Sequence, residues 1–241
     1  MKKALVGVFS ILLGLGLVGG AHGHTVSADQ NDFEVQPVLP DNQTNMAENF
    51  YDLKVKPDTT QTLQLRIQNF TKKTITVKSN IRNAYTQIGG GLAFTPKALS
   101  SINQPLTSML TLPKAQSTIT LQGHEATTLN TTLKVPKNGF KGMVYGDWHF
   151  TEKVANNTKS HTAIKAHYDY SVGVLLQGKQ YQSTSAQLKY DSTRPFLYNK
   201  HPAMAIAVKN AQPMAMRQVA VKAQIMRVGD SDTVRTYQAT K

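Results

Sequence analysis

Short segments in which apolar and polar residues alternate recur along almost the whole chain, and this alternation limits the fold more than any other feature. Clear examples are Leu63, Leu65 and Ile67, each followed by a polar residue, and then Ile75 with Val77. A period of two places neighbouring side chains on opposite faces of a β-strand, so one face of each segment can be buried. The sequence therefore predicts a protein built from half-buried β-strands.

Turn-forming residues separate these segments, as at 56–58, 89–91 and 136–139, where Pro, Gly, Asn or Asp cluster. Strands at this spacing are typical of antiparallel sandwiches. Residues 105–112 alone have a helix-like apolar spacing, and Pro113 limits any helix there to one or two turns. Further strands are predicted at 33–38, 50–55, 118–121, 142–152, 163–176 and 186–190.

A polar stretch at 179–185 interrupts the alternation and divides the chain. Residues 29–180 contain enough strands for one elaborated immunoglobulin-like sandwich, and alternation resumes in residues 184–241. This second part has about half of the roughly 100 residues that a complete immunoglobulin-like sandwich needs. The predicted fold is therefore all-β, with two immunoglobulin-like β-sandwich modules of which the second is incomplete and leaves an unpaired edge.

The first 28 residues have the pattern of a secretory signal peptide. Lys2 and Lys3 precede an uncharged apolar run at 4–18, and Val26 and Ala28 are small residues at the positions that a signal peptidase recognises. An uncleaved anchor is the alternative, but the run is shorter than the roughly 20 residues that cross a bilayer. No later segment is long and apolar enough to span a membrane, so the mature chain is predicted to be exported without an anchor of its own.

The charge and the cysteine content limit the compartment and the kinds of binding partner that we expect. The chain has no cysteine, which excludes thiol catalysis and disulfides and favours a bacterial envelope over a eukaryotic secretory route. It has 27 Lys and Arg against 14 Asp and Glu, spread without a basic block. For an exported protein we expect wall teichoic acid, peptidoglycan or acidic matrix glycans as anionic partners, and no nucleic acid. The alternative is general attraction to an anionic wall.

Motifs of the common enzyme classes are absent. The sequence has no Gly-x-Ser-x-Gly, no His-Glu-x-x-His and no phosphate-binding Gly-x-x-x-x-Gly-Lys-Ser/Thr. Its carboxylates show no spacing that singles out an acid and base pair of the glycosidase kind. The chain is therefore predicted not to be an enzyme and to bind no cofactor or metal.

The strand around Trp148, the only tryptophan, is the segment most suited to a ligand site. Asp147 and His149 share one strand face, as a metal-binding pair or as an outward polar pair, and the absence of a third ligand favours the polar pair. Trp148 is either a core residue or a platform for sugar stacking. The predicted glycan-binding set is Tyr145, Trp148, His149, Lys141 and Lys153.

A series of longer motifs runs in order through the first predicted module. The motifs are FEVQPVLPDNQ at 33–43, YDLKVKP at 51–57, QTL at 61–63, ITV at 75–77, PLTSM at 105–109, LPK at 112–114, LKVP at 133–136 and FTEK at 150–153. Together they resemble the WxL-interacting proteins of Gram-positive bacteria.

This resemblance implies an exported surface protein whose first module binds peptidoglycan and whose second binds a host ligand such as matrix, alongside WxL-domain proteins at the wall. Family members also carry a complete second module, a C-terminal membrane-spanning segment and a basic tail, none of which is expected within residues 184–241. The predicted function is non-enzymatic binding of peptidoglycan or associated wall polyanions. The alternative is a structural assembly or adhesion module that binds protein partners by strand addition.

Overall fold

β-Strands make up nearly all the regular structure. The structure, a computed structural model, describes residues 31–87, 90–99, 102, 104–153, 169–216, 218–229 and 231–240. The strands are β1 (Phe33–Val38), β2 (Tyr51–Lys54), β3 (Thr60–Asn69), β4 (Ile75–Thr86), β5 (Leu92–Thr95), β6 (Leu110–Thr111), β7 (Thr118–Leu121), β8 (Ala126–Lys134), β9 (Met143–Glu152), β10 (Asp169–Gln177), β11 (Leu188–Tyr198), β12 (His201–Asn210), β13 (Ala220–Met226) and β14 (Thr233–Thr240).

Two 3-10 turns, Leu106–Ser108 and Lys114–Gln116, are the helical segments of the described ranges. The helix expected over 105–112 is therefore confirmed only as one turn, because the chain is again extended at Leu110. In the part of the chain that the structure describes, no helix is long and apolar enough to cross a membrane. The predicted signal peptide, residues 1–28, lies outside the described residues, as do 163–168 of the strand predicted at 163–176.

Ten strands form two sheets that pack face to face. The first sheet has four strands in the order β1-β3-β8-β6, and the second has six, in the order β2-β10-β9-β4-β5 with β7 also paired to β4. The pairs are antiparallel except for β2 with β10. This is the architecture of an immunoglobulin-like sandwich, elaborated at its edges.

Alternation along the strands places the core between the two sheets. Leu63, Leu65 and Ile67 of β3 are fully buried, and the polar residues between them face outward. Burial of such side chains contributes about 1.5–3 kcal/mol each. Trp148 of β9 is also fully buried, and its Nε1 donates a hydrogen bond to Ser79 Oγ at 2.7 Å, so its polar atom is satisfied inside the core.

The second module has a different construction. Among the described residues, β11 pairs only with β12, and β13 pairs only with β14, which gives two separate two-stranded sheets. We call them the first and second ribbon. All the buried hydrophobic residues among the described ranges lie between Phe33 and Leu176, so neither ribbon contributes to the core. The predicted all-β class with two modules is confirmed.

A junction of hydrogen bonds joins the second module to the start of β9. The Met143 amide donates to the carbonyl of Pro213 at 2.8 Å, and the amide of Ala215 donates to Met143 Sδ at 3.2 Å. Gly142 lies beneath this contact with φ of +72°, and a Cβ there would be 2.2 Å from the Pro213 carbonyl oxygen. Only glycine fits, because it has no Cβ and tolerates a positive φ. Lys141 Nζ reaches Gln212 Oε1 at 3.5 Å from the same junction.

Candidate binding surface

The second sheet has one face on the core and one face toward solvent, and we call the latter the outer face. Along β9, Val144, Trp148 and Phe150 point into the core, so Tyr145 and Asp147 point out. The strand register aligns outward side chains of β10, β9, β4 and β5 in rows. The first row joins the pair Leu175 and Tyr145 to the pair Ala84 and Phe94 through the contact between the Tyr145 and Phe94 rings. The next rows are Gly173, Asp147 and Arg82, and then Ser171, His149 and Asn80.

An ion pair occupies the centre of the outer face. Arg82 Nε and Nη2 donate to the two carboxylate oxygens of Asp147 at 3.0 and 2.5 Å, and Nη2 also donates to Ser171 Oγ at 3.1 Å. The Asp147 side chain has no exposed surface, whereas that of Arg82 is 20% exposed. A two-point contact of this kind is a strong charge-assisted hydrogen bond. It satisfies the buried carboxylate and fixes the guanidinium group against the sheet.

Two aromatic rings lie beside this ion pair, in the neighbouring row. The ring centroids of Tyr145 and Phe94 are 6.0 Å apart in an edge-to-face arrangement, and the Arg82 guanidinium carbon lies 5.4 Å from the Phe94 centroid. Gly173 of β10 makes room for Tyr145, because a Cβ there would be 3.2 Å from the tyrosine oxygen and 3.6 Å from Cε2. The Tyr145 ring therefore lies over the β10 backbone, and both rings remain half-buried rather than covered.

His149 is held as a neutral imidazole. Its Nδ1 lies 3.1 Å from the carbonyl oxygen of Tyr170, which can only accept, so Nδ1 carries the proton. Nε2 then accepts from Thr151 Oγ1 at 3.2 Å. Burial, followed by the positive charge of Arg82, lowers the pKa of His149, and the carboxylates of Asp147 and Asp169 oppose this shift only in part.

The structure brings together two of the five residues predicted to bind glycan. Tyr145 and His149 lie on the outer face, two rows apart. Trp148 faces the core with no exposed surface, so the prediction that it could act as a sugar platform is corrected in favour of the core alternative. Its large apolar ring is better accommodated between the sheets than in water.

The two predicted lysines lie far from this pair and from each other. Lys141 precedes β9 and contacts the junction with the second module, whereas Lys153 follows the other end of the same strand. The ten residues of β9 lie between them and alone span roughly 30 Å at strand rise. One sugar residue cannot contact both lysines.

Arg82 and Phe94 complete the outer face but were not singled out in the sequence. In the sequence, Arg82 is only one of many basic residues that are spread along the chain. Its pairing with Asp147 spans 65 positions and depends on the register of β4 against β9, which alternation within each strand does not specify. A charged residue at an outward position in the middle of a strand is the signal that could have drawn attention to it.

The charged and titratable groups at the centre of the outer face are already paired with neighbouring groups of the protein. Asp147 is neutralised by Arg82, and both nitrogens of His149 already have partners. Within the described ranges, no three His, Asp or Glu side chains come together as a metal-binding group. The surface therefore offers aromatic rings and polar groups for recognition.

Comparison with known proteins assigns both parts of the chain. Residues 33–152 match the family model of the WxL Interacting Protein, peptidoglycan binding domain. Residues 159–241 match the model of the WxL Interacting Protein, host binding domain. The first match coincides with the packed sandwich up to the end of β9 and includes Arg82, Phe94 and Tyr145 of the outer face. A search of curated proteins found no significant match.

Solved structures show only remote similarity. A PapD-like domain of human CEP192 has 9% identity and a TM-score of 0.37, over 69% of this chain and 96% of that one. The CsuC-CsuE chaperone and tip adhesion subunit complex of Acinetobacter baumannii has 12% identity and a TM-score of 0.39, over 75% and 77%. The Escherichia coli chaperone DraB has 7% identity and a TM-score of 0.37, over 86% and 95%. Similarity at this level does not bear on ligands.

The fold and the two matches define a cell-surface binding protein built from immunoglobulin-like β modules. Both matched models describe binding domains, and together they cover most of the chain. The chain belongs to the WxL-interacting protein family.

Proposed function

We propose that this chain is a non-enzymatic protein of the bacterial wall that binds peptidoglycan or its associated polyanions through the first module. The observation that carries this proposal is the match of residues 33–152 to a peptidoglycan-binding domain. The net charge of +13 supports it, because a basic protein is attracted to an anionic wall. We assign residues 1–28 to a signal peptide, 29–180 to the peptidoglycan-binding module and 184–241 to the host-binding module.

Co-sedimentation with purified peptidoglycan tests the proposal. The full chain is mixed with peptidoglycan that retains its teichoic acid and with peptidoglycan stripped of it, across a salt series. We expect the chain to sediment with the stripped material near physiological salt. Sedimentation only with teichoic acid and only at low salt would reduce the binding to general electrostatic attraction. No release of dye from labelled peptidoglycan is expected, because the chain is proposed not to be an enzyme.

A second candidate function, assembly with protein partners by strand addition, is favoured by the ribbons of the second module. Within the described ranges, each ribbon strand is paired on one side only, which leaves its other edge available for a partner strand. One face of the first ribbon is also apolar, with Tyr190, Leu197 and Met204 each more than 60% exposed. WxL-domain proteins and a host matrix ligand are the partners that we propose for these ribbons.

Mixing the full chain with a purified WxL-domain protein tests this second candidate. Strand addition depends on backbone hydrogen bonds and apolar contacts, so the complex should persist at high salt. Ile206→Asp places a charge on the apolar face of the first ribbon and should weaken the complex. Ala205→Asp places the same charge on the opposite face and is the matched control. Equal binding by both variants would argue against this role of the apolar face.

A further inference from the structure

The outer face differs in charge from the rest of the chain. Lys and Arg outnumber Asp and Glu by 27 to 14 in the whole sequence, whereas the outward charges on the strands of the second sheet cancel. They are Asp52, Asp147, Asp169, Lys54, Lys78 and Arg82. His149 adds little positive charge, because burial and the neighbouring Arg82 lower its pKa. The attraction for polyanions therefore originates elsewhere on the molecule.

The central cation of this face, Arg82, already has hydrogen-bond partners. Arg82 binds the buried carboxylate of Asp147 at two points and gives a third hydrogen bond to Ser171. An anionic ligand would have to displace Asp147 and leave a carboxylate buried without its partner, which is costly. A phosphate or carboxylate group therefore has little to gain at the centre of the outer face.

The aromatic row suits an uncharged ligand. Tyr145 lies over the β10 backbone at Gly173, with Phe94 against its edge, so apolar ring surface is available beside the ion pair. Sugar rings present flat C–H faces that pack on such surface, while their hydroxyl groups need polar partners. Asn80 and Ser171, both exposed, supply donors and acceptors two rows away, at roughly 13 Å along the strand.

We propose that the outer face binds the uncharged saccharide backbone of the wall glycan, with sugar rings packed on Tyr145 and Phe94 and hydroxyl groups bonded to Asn80, Ser171 and the exposed edge of Arg82. This inference rests on the proposed function, and it identifies which part of the wall the first module contacts. Contact with teichoic acid or with peptide carboxylates is then a separate, charge-driven contribution from other surfaces.

The test is co-sedimentation of the full chain with peptidoglycan stripped of teichoic acid, at low and at high salt. Tyr145→Ala and Phe94→Ala should each weaken binding about tenfold at both salt concentrations, the size expected for loss of an aromatic anchor. Tyr145→Phe keeps the ring and should bind as the unaltered chain does. Tyr198→Ala removes an exposed tyrosine from the face of the first ribbon that carries Arg194, opposite the apolar face, and is the matched control.

Competition identifies the ligand chemistry. The soluble tetramer of N-acetylglucosamine, which is uncharged, should displace the chain from stripped peptidoglycan, and polyglutamate, which is anionic, should not. Displacement by polyglutamate alone, or loss of binding at high salt, would overturn the proposal.

The failures of the two proposals are distinguishable. If the unaltered chain does not sediment with any peptidoglycan, the proposed function itself fails. If it sediments and both alanine variants sediment equally well, the function stands and the outer face is not the site. Thermal unfolding of each variant, followed by the fluorescence of buried Trp148, verifies that the variants are folded. If one alanine variant does not fold, the other decides the question.

Discussion

The two modules are built from strands with similar alternation, yet the first buries its apolar side chains and the second leaves many of them exposed. In the first module, side chains such as Leu63 and Trp148 are fully buried between two sheets. In the second, the same pattern leaves the apolar face in water. Of the seventeen large exposed hydrophobic side chains among the described residues, fourteen lie between Leu188 and Tyr237. Alternation specifies that a strand has an apolar face, but only a second sheet packed on that face makes a core.

The ribbons show how complete this difference is. In the first ribbon, Tyr190 pairs with Val208, and Pro195 pairs with Met204, on one face. The opposite face carries Ser192 and Arg194 together with the contacting rings of Phe196 and Tyr198. In the part of the chain that the structure describes, no second sheet covers the ribbon, a state in which isolated two-stranded hairpins are marginally stable at best.

The largest difference in stability between the two modules is expected for alanine substitutions of two phenylalanines, one in each module. Phe150→Ala empties a fully buried site beside Trp148, and we expect the free energy of unfolding to fall by about 3–5 kcal/mol. Phe196→Ala in β11 removes a ring that is 38% exposed and should have a much smaller effect. Urea unfolding followed by Trp148 fluorescence measures both. Equal losses would mean that the ribbons are packed as firmly as the sandwich.

Two ion pairs of the described ranges, one in each module, offer a second matched comparison. Arg82→Ala leaves the buried carboxylate of Asp147 without its cation, which should cost about 3 kcal/mol of stability. Lys209→Ala breaks the pair with Asp191 in the first ribbon, at 2.9 Å, where both side chains are exposed. That change should be undetectable in the same urea titration, because water screens exposed pairs. A large effect at Lys209 would contradict the exposed state of the ribbon.

A substitution at the junction should have an intermediate effect. Gly142→Ala imposes a left-handed backbone on alanine, at about 1–2 kcal/mol, and drives its Cβ against the carbonyl of Pro213. The Met143 amide should then exchange its hydrogen faster, because its bond to Pro213 is lost. Gly90→Ala is the control, since Gly90 has φ of +92° but open space around its Cα. Unchanged exchange in both variants would mean that the junction does not depend on this contact.

The smallest expected effect is a pH dependence that belongs to the first module. Burial and Arg82 hold the pKa of His149 below its ordinary value of 6.5, whereas the unfolded imidazole takes up a proton there. Proton uptake therefore favours unfolding, and stability should decline as pH falls below about 6.5. His149→Gln should flatten this decline, and His201→Gln in β12 should retain it. Thermal unfolding between pH 5 and pH 8 measures the slopes, and an unchanged slope in His149→Gln would contradict the assignment.

The sequence predicted individual strands better than the relations between them. β1 and β7 begin and end where alternation places them, and β9 differs from its prediction by one residue. β11 extends to Tyr198, well beyond the 186–190 predicted, because Asp191, Arg194 and Pro195 obscure the alternation. A register shift at 190–192 accommodates the change in pattern.

The candidate site was predictable only in part for the same reason. Tyr145 and His149 follow from alternation within one strand, and the choice between core and surface for Trp148 needed the opposing sheet. Arg82 and Phe94 reach the site from other strands through the pairing of β4 with β9 and β5. Such pairings are set by contacts far apart in the sequence, which local periodicity does not report.

The junction at Gly142 also bears on how a mechanical pull would travel through the molecule. Tension applied to the second module would reach the first along the backbone that leaves β10 and, in addition, through the hydrogen bond between Pro213 and Met143, the first residue of β9. β9 is hydrogen-bonded on both sides, to β4 and to β10, so the tension enters the middle of the six-stranded sheet rather than an edge. A pull between the two modules would therefore load inner strands of the sheet in shear, where several hydrogen bonds must break together, rather than peel an edge strand away.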